Sequence, residues 1–152
     1  MMTSLRIRPA LKKDLKEILE LYKGLTDDPD DKISLNAAIR KFNKLQRFPY
    51  YKLFVAEYNN EIAGTFALLI MDNLAHRGEP SSIIEDVVVK SSLRGQKIGR
   101  AMMSFAMEIS RRKGCYKMVL SSHLRRVNAH RFYESLGFKK HGFSFVVSVP
   151  ND

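Results

Sequence analysis

The 152-residue chain holds a single cysteine, Cys115, and has sixteen acidic side chains against twenty-six lysines and arginines. One cysteine excludes an internal disulfide framework and a cysteine-built zinc site. No apolar run is long enough to cross a bilayer. The opening stretch MMTSLRIRPALKKDL lacks the apolar h-region of a secretory signal, so a cytoplasmic location is the expectation. Internal repeats, low-complexity tracts and domain linkers are absent as well. A single domain over 1–152 with a sizeable core is expected.

What is there in excess is positive charge. The formal net charge is +10, with 45% hydrophobic and 28% charged residues, the balance of a globular protein. Such a chain attracts anions: nucleic acid, a membrane surface or a phosphorylated small molecule. Arg111, Arg112, Lys113, Arg125, Arg126, Lys139 and Lys140 crowd the last third. No aromatic-rich basic stripe of the kind that stacks bases accompanies them. They read as solvated faces, and neither nucleic acid nor membrane is an expected partner.

Ser4–Arg8 alternates Leu5 and Ile7 with charge, as a strand does, and Pro9 is expected to end it. Leu11, Leu15, Ile18, Leu19 and Tyr22 recur at helical spacing up to Gly24. Leu35, Ala38, Ile39, Phe42 and Leu45 give a second helix, with Ser34 as N-cap. Strands at Lys52–Tyr58 and Ile62–Asp72 form a hairpin, followed by a strand at Ser82–Lys90. Helix, strand, helix and strand come next, at Ile98–Lys113, Lys117–Ser121, Val127–Leu136 and His141–Val149. Gly114 and Gly137 stand where helix C-caps belong. The order βααβββαβαβ implies an α/β fold, a mixed sheet flanked by helices. The last strand, HGFSFVVSV, is expected to add at an edge or beside the preceding strand, or to pair across a homodimer.

The stretch LRGQKIGRAM, 93–102, lies between the apolar strand IIEDVVV and a helix with the inner stripe Ile98, Ala101, Met102, Phe105 and Ile109. A helix start leaves unpaired N–H groups and carries the positive end of the dipole. Glycines let the backbone approach an anion closely, so the stretch reads as a phosphate cradle. Arg94, Lys97 and Arg100 add charge to it. The other reading is a tight turn with surface cations. The stretch is neither G-x-G-x-x-G nor a P-loop.

IEDVVV, RGQKIGRAM, GCYKMVL and NAHRFYESLGF, in this order over 83–138, resemble the GNAT superfamily of N-acyltransferases. The resemblance implies a GNAT-type, mostly antiparallel sheet and acetyl-CoA as co-substrate, with no metal. In that family R/Q-x-x-G-x-G/A binds the pyrophosphate of acetyl-CoA. Here it covers Arg94, Gly95, Gln96, Lys97, Ile98, Gly99 and Arg100, with Lys97 replacing the middle glycine. The cradle is expected to survive, because lysine still presents its N–H where no positive φ is needed. The resemblance also implies that the strand through Val87, Val88 and Val89 splays from its neighbour and pairs with the pantetheine arm, while its side chains pack the core.

The implied reaction is acetyl transfer to the primary amine of a small, anionic molecule by direct attack on the thioester. Tyr133 is the candidate acid. A phenol of pKa about 10 is a poor match for a thiol of about 8.5, so hydrogen bonding to the developing thiolate suffices. Its other reading is apolar packing with Ala129, Phe132 and Leu136. Asn128 matches a family position that hydrogen-bonds coenzyme A, or else caps its helix. Glu85 and Asp86 interrupt an apolar strand, and alternation sends them to opposite faces. Glu85 is the candidate base and Asp86 an amine or structural partner; a plain salt bridge to arginine is the alternative. The Glu–Asp pair is similar to that of glucosamine 6-phosphate N-acetyltransferases, and the ending AHRFYESLGF to aminoalkylphosphonate N-acetyltransferases.

His130 is a candidate to line the acceptor pocket, or else a surface or capping residue. None of the four histidines has metal-ligand spacing on a helix face. Cys115 reads as buried and inert. Two further classes stay open: a protein or peptide acetyltransferase with an open groove near 73–81, and a non-catalytic coenzyme A-binding module.

Overall fold

The computed structural model describes residues 4–150. Residues up to Leu120 and residues from Ser121 onward form two compact units, described separately below. Among the described residues no helix is long and apolar enough to cross a membrane.

The first unit is built on a five-stranded sheet in the order β1-β2-β3-β4-β5. Its strands are β1 (Leu5–Pro9), β2 (Tyr51–Tyr58), β3 (Glu61–Met71), β4 (Ser81–Val89) and β5 (Lys117–Val119). β1 to β4 are antiparallel, and β5 joins β4 in parallel. Pro9 closes β1 from within, paired with Phe54. β1 is an edge strand, where a missing N–H costs no ladder bond. Asn59 and Asn60 form the two-residue β2–β3 turn with φ of 50° and 67°. Two positive φ values give the turn whose twist matches a hairpin, and asparagine tolerates them.

Helices α1 (Leu15–Tyr22) and α2 (Leu35–Leu45) cover one face of the sheet, and α3 (Ile98–Arg112) covers the other. The Ser34 hydroxyl accepts from the Ala37 N–H at 3.2 Å and caps α2. Ala10, Leu15, Ile18, Phe42 and Val55 form the core beneath α1 and α2. On the α3 side Phe54 stacks on Phe66 at 5.1 Å and meets Phe105 edge-on at 5.5 Å. Phe66 is fully buried, so truncating it to alanine costs about 3–5 kcal/mol. Gly64 lets α3 approach, since a Cβ there would stand 2.8 Å from the Met102 sulfur and 3.0 Å from the Val88 carbonyl. At the β1–α1 corner the half-buried Arg8 guanidinium donates to Asp14 at 2.7 and 3.0 Å and to Glu57 at 2.9 and 3.1 Å.

The second unit contains α4 (Val127–Ser135) and an irregular C-terminal segment. The strand expected at His141–Val149 is not formed, and the element order ends at α4. A strand needs a ladder partner for its backbone, and the described residues of this unit supply a helix and loops. Phe143, Phe145, Val146, Val147 and Val149 are all exposed there. A contact between the hydroxyls of Ser121 and Ser144, at 3.4 Å, ties the segment back.

Candidate functional site

β4 ends in a single 3-10 turn, Ser91–Leu93, and the chain then runs through Arg94–Lys97 into α3. Ile98 anchors the start of α3, its side chain 1% exposed in the core. Gly95 has φ +83° and Lys97 φ +62°. The backbone N–H groups of Gly95, Lys97, Ile98 and Gly99 meet no acceptor among the described residues. Arg94 and Lys97 are exposed beside them and form no ion pair among the described residues. Four unpaired donors, a dipole end and two exposed cations give this turn the chemistry that suits an anion. The expectation that Lys97 needs no positive φ is corrected. Its backbone sits in the left-handed region that glycine occupies freely, and for lysine this costs about 1 kcal/mol.

β4 itself is broken by a bulge. Glu85 pairs with Ala67 and Val88 with Thr65, so Asp86 and Val87 together oppose Phe66. Asp86 supplies the kink with φ +51°. This overturns the alternation expected for Glu85 and Asp86. Glu85 lies in the cross-strand row with Ala67 and Leu53, on the α1 face. Asp86 acts on Tyr22 and Tyr51 of that same face. After the bulge Val88 turns to α1 and is buried, its Cγ2 3.9 Å from where a Cβ on Gly24 would stand.

The bulge also lies where β4 loses a neighbour. The parallel ladder to β5 runs only from Ser81–Lys117 to Ile83–Val119. From Ile84 to Val89 the β5 side of β4 has no strand beside it among the described residues. An extended molecule with amide groups can add there as a strand would.

Neither Glu85 nor Asp86 has a hydrogen bond or ion pair among the described residues, although the chain is strongly basic. Both are open to solvent. Loss of hydration at the sheet–α1 junction nonetheless holds the Asp86 carboxyl above its ordinary range. Burial pushes the Tyr22 phenol well up, and the charge of Asp86 adds to this, while a hydrogen bond with Thr65 works against it. Burial, then Asp86, then Glu85 raise Tyr51. A cleft of about 120 Å³ opens on this face, lined by Tyr51, Ala67, Leu69, Ile83 and Glu85. Tyr22 and Tyr51 carry no motif. Their part is visible only once the β2–β3–β4 register is known.

Cys115 is half-buried, and burial raises its thiol, which keeps it a poor nucleophile.

In the second unit Tyr133 lies on α4, half-buried between Phe132 at 5.4 Å and Phe138 at 5.9 Å. Burial raises its phenol and Arg126 partly offsets this. Asn128 is exposed in the first turn of α4, and Arg126 stands at the N-cap, so Asn128 is not the cap. The His130 ring Nε2 lies 3.0 Å from the His123 carbonyl. A carbonyl only accepts, so this nitrogen carries the proton.

The pattern of the acetyltransferase (GNAT) family matches residues 13–138. The chain is similar to the glucosamine 6-phosphate N-acetyltransferase of Trypanosoma brucei brucei, 35% identical over 137 residues and covering 90% of each chain. It is similar to the aminoalkylphosphonate N-acetyltransferase of Salmonella typhimurium, 30% identical over 151 residues, 91% of this chain and 96% of that one. A solved acetyltransferase structure from Trypanosoma brucei superposes with a TM-score of 0.81 at 32% identity, covering 96% of this chain and all of that one, 100%.

Proposed function

Because this chain belongs to the GNAT family of acetyltransferases, we propose that it moves an acetyl group to the primary amine of a small, anionic molecule. The observation that carries this reading is the bulged β4. One strand presents two unpaired carboxylates on one face, an open backbone edge, and a path straight into the donor-rich start of α3. The names of the two relatives, one for an amino sugar phosphate and one for aminoalkylphosphonates, support the anionic acceptor. So does the net charge of +10.

The residues present fit acetyl-CoA. The N–H groups from Gly95 to Gly99, with Arg94, Lys97, Gln96 and Arg100 around them, suit a pyrophosphate. The open edge through Val87, Val88 and Val89 suits the amides of the pantetheine arm. When bound, acetyl-CoA supplies the acetyl group as an activated thioester. The chain's own residues do the rest. Asp86 draws in the ammonium form of the acceptor. Glu85 accepts the ammonium proton, directly or through water, which frees the lone pair that forms the new C–N bond; the second N–H proton leaves as the amide forms and passes through water to the departing thiolate. Tyr133 donates a hydrogen bond to the sulfur as the C–S bond breaks. Tyr133 and Asn128 enter this scheme through the resemblance of NAHRFYE to the family motif. His130 remains a proposed wall of the acceptor pocket, held by its bond to His123.

The test is thiol release from acetyl-CoA by the purified protein, with glucosamine 6-phosphate, 2-aminoethylphosphonate, spermidine and a lysine peptide as acceptors. Turnover of a phosphorylated or phosphonylated amine is expected. Turnover of the peptide alone would overturn the small-acceptor reading, and binding of coenzyme A without any release would point to a non-catalytic module.

A further inference from the structure

We infer that Tyr51 is an acceptor-binding residue: its ring forms the wall of the β2–β3–β4 cleft opposite Glu85, and the acceptor's ammonium group is held between the ring face and the carboxylates. This rests on the amine-acetylation reading and adds a residue outside every family motif in the sequence.

The register brings the two walls together. The row Tyr51–Leu69–Ile83 lies one two-residue step from the row Leu53–Ala67–Glu85 on the same face. Two strand spacings and that step set the Cα atoms of Tyr51 and Glu85 roughly 12 Å apart. Long side chains reaching inward from both sides leave the observed cleft, floored by Ala67, Leu69 and Ile83. The Phe48 ring meets Tyr51 edge-on at 6.2 Å and 74°, which fixes the ring's tilt.

The charge pattern says what belongs there. Tyr51 feels both Asp86 and Glu85, yet makes no hydrogen bond to either. Two carboxylates and a π face thus converge without an internal cation, in a chain that elsewhere seats its ammonium groups on tyrosine. Lys52 and Lys113 sit 5.2 and 5.3 Å from the Tyr50 ring, and Lys117 sits 5.2 Å from Tyr116. Among the described residues no cation covers Tyr51. A cleft of about 120 Å³ with an apolar floor takes an ammonium and a short carbon skeleton. Sites for drug-sized ligands run to about 300–1,000 Å³. Among the described residues no phosphate-binding cation lines this cleft, so it receives the amine end of the acceptor and not its anionic end.

The experiment measures binding of 2-aminoethylphosphonate and glucosamine 6-phosphate to the coenzyme A-loaded protein by calorimetry, beside steady-state kinetics. Tyr51→Leu keeps an apolar wall but removes the π face, with an expected rise of about fivefold to tenfold in acceptor Kd and KM. Coenzyme A affinity and kcat at saturating acceptor should change by less than about twofold. Tyr51→Phe keeps the face and should stay within about twofold of the wild type. If Tyr51→Leu does not fold, Tyr51→Ile, which suits a strand, replaces it. Acceptor binding unchanged in Tyr51→Leu, with an active wild type, overturns the proposal and leaves the functional reading standing. Equal losses in Tyr51→Phe and Tyr51→Leu also overturn it, since the hydroxyl and not the ring would then hold the acceptor. A wild type that binds coenzyme A but neither binds nor acetylates either amine overturns both.

Discussion

Asp86 and its chain neighbour Glu85 present their charges to the same phenol, Tyr51, because Asp86 turns the strand with φ +51°. Two adjacent residues of a regular strand point apart. The bulge sets the pair on one face at the cost of a left-handed aspartate whose exposed carboxylate loses part of its hydration.

That cost is measurable. The raised carboxyl of Asp86 means that its ionised form is held unfavourably at neutral pH. Asparagine tolerates the left-handed region, so Asp86→Asn should raise the urea midpoint at pH 7. The gain should vanish below about pH 4, where the aspartate is neutral in both the folded and unfolded states. Acceptor kcat/KM should fall about tenfold or more in the same variant. A lowered midpoint at pH 7 would contradict the argument.

Glu85→Gln separates acceptors by basicity. An amine of pKa about 10.4 needs about 4.6 kcal/mol to lose its proton at pH 7, and one near 8 only about 1.4 kcal/mol. The variant should lose about a hundredfold in kcat with spermidine and less than about threefold with a weakly basic amine. Equal losses across a series of graded amine pKa would remove Glu85 as the base.

Lys97→Gly relieves backbone strain and deletes a cation in one step. Stability should rise by about 1 kcal/mol, a Tm increase of about 2–4 °C for a chain of this size. Coenzyme A should bind about threefold more weakly, with a shallower salt dependence, since an exposed cation contributes little. Differential scanning calorimetry and titration read the two effects independently.

Tyr133→Phe should lower kcat by about tenfold while leaving the KM for acetyl-CoA within about twofold. The phenol lies above its ordinary value through burial, so it stays protonated to beyond pH 10 and its ionisation should leave no alkaline limb in kcat below that pH. Full proton transfer to a thiolate of about 8.5 is more uphill still, which leaves hydrogen bonding as its role. A rate limb below pH 10 that disappears in Tyr133→Phe would refute this.

At the β1–α1 corner, burial alone would raise Asp14, but the Arg8 guanidinium and the Leu11 N–H overcome it and hold the carboxyl below its usual range. The pair therefore stabilises the fold above about pH 4, and this contribution fades as pH falls through the lower folded-state value. Asp14→Asn should cost about 3 kcal/mol at pH 7 and much less at pH 2. Urea unfolding at both pH values reads the difference.

Local chemistry was enough to write most of the element order. Ser34 capped its helix, Asn59 and Asn60 made the hairpin, and the glycine-bearing turn opened α3, because each depends on a few neighbouring residues. The family motifs were legible for the same reason, as was the departure at Lys97. Its φ was not, since a backbone angle answers to the strand and helix on either side. Nor did the sequence reveal that two residues of β4 face one residue of β3, for register is counted on two strands at once. That count decided which face Asp86 serves, and it brought Tyr51, which lies in no motif, into the cleft with Glu85. The alternation in HGFSFVVSV was equally plain to read, yet it made no strand in the described structure, because a strand exists only where a partner meets its backbone.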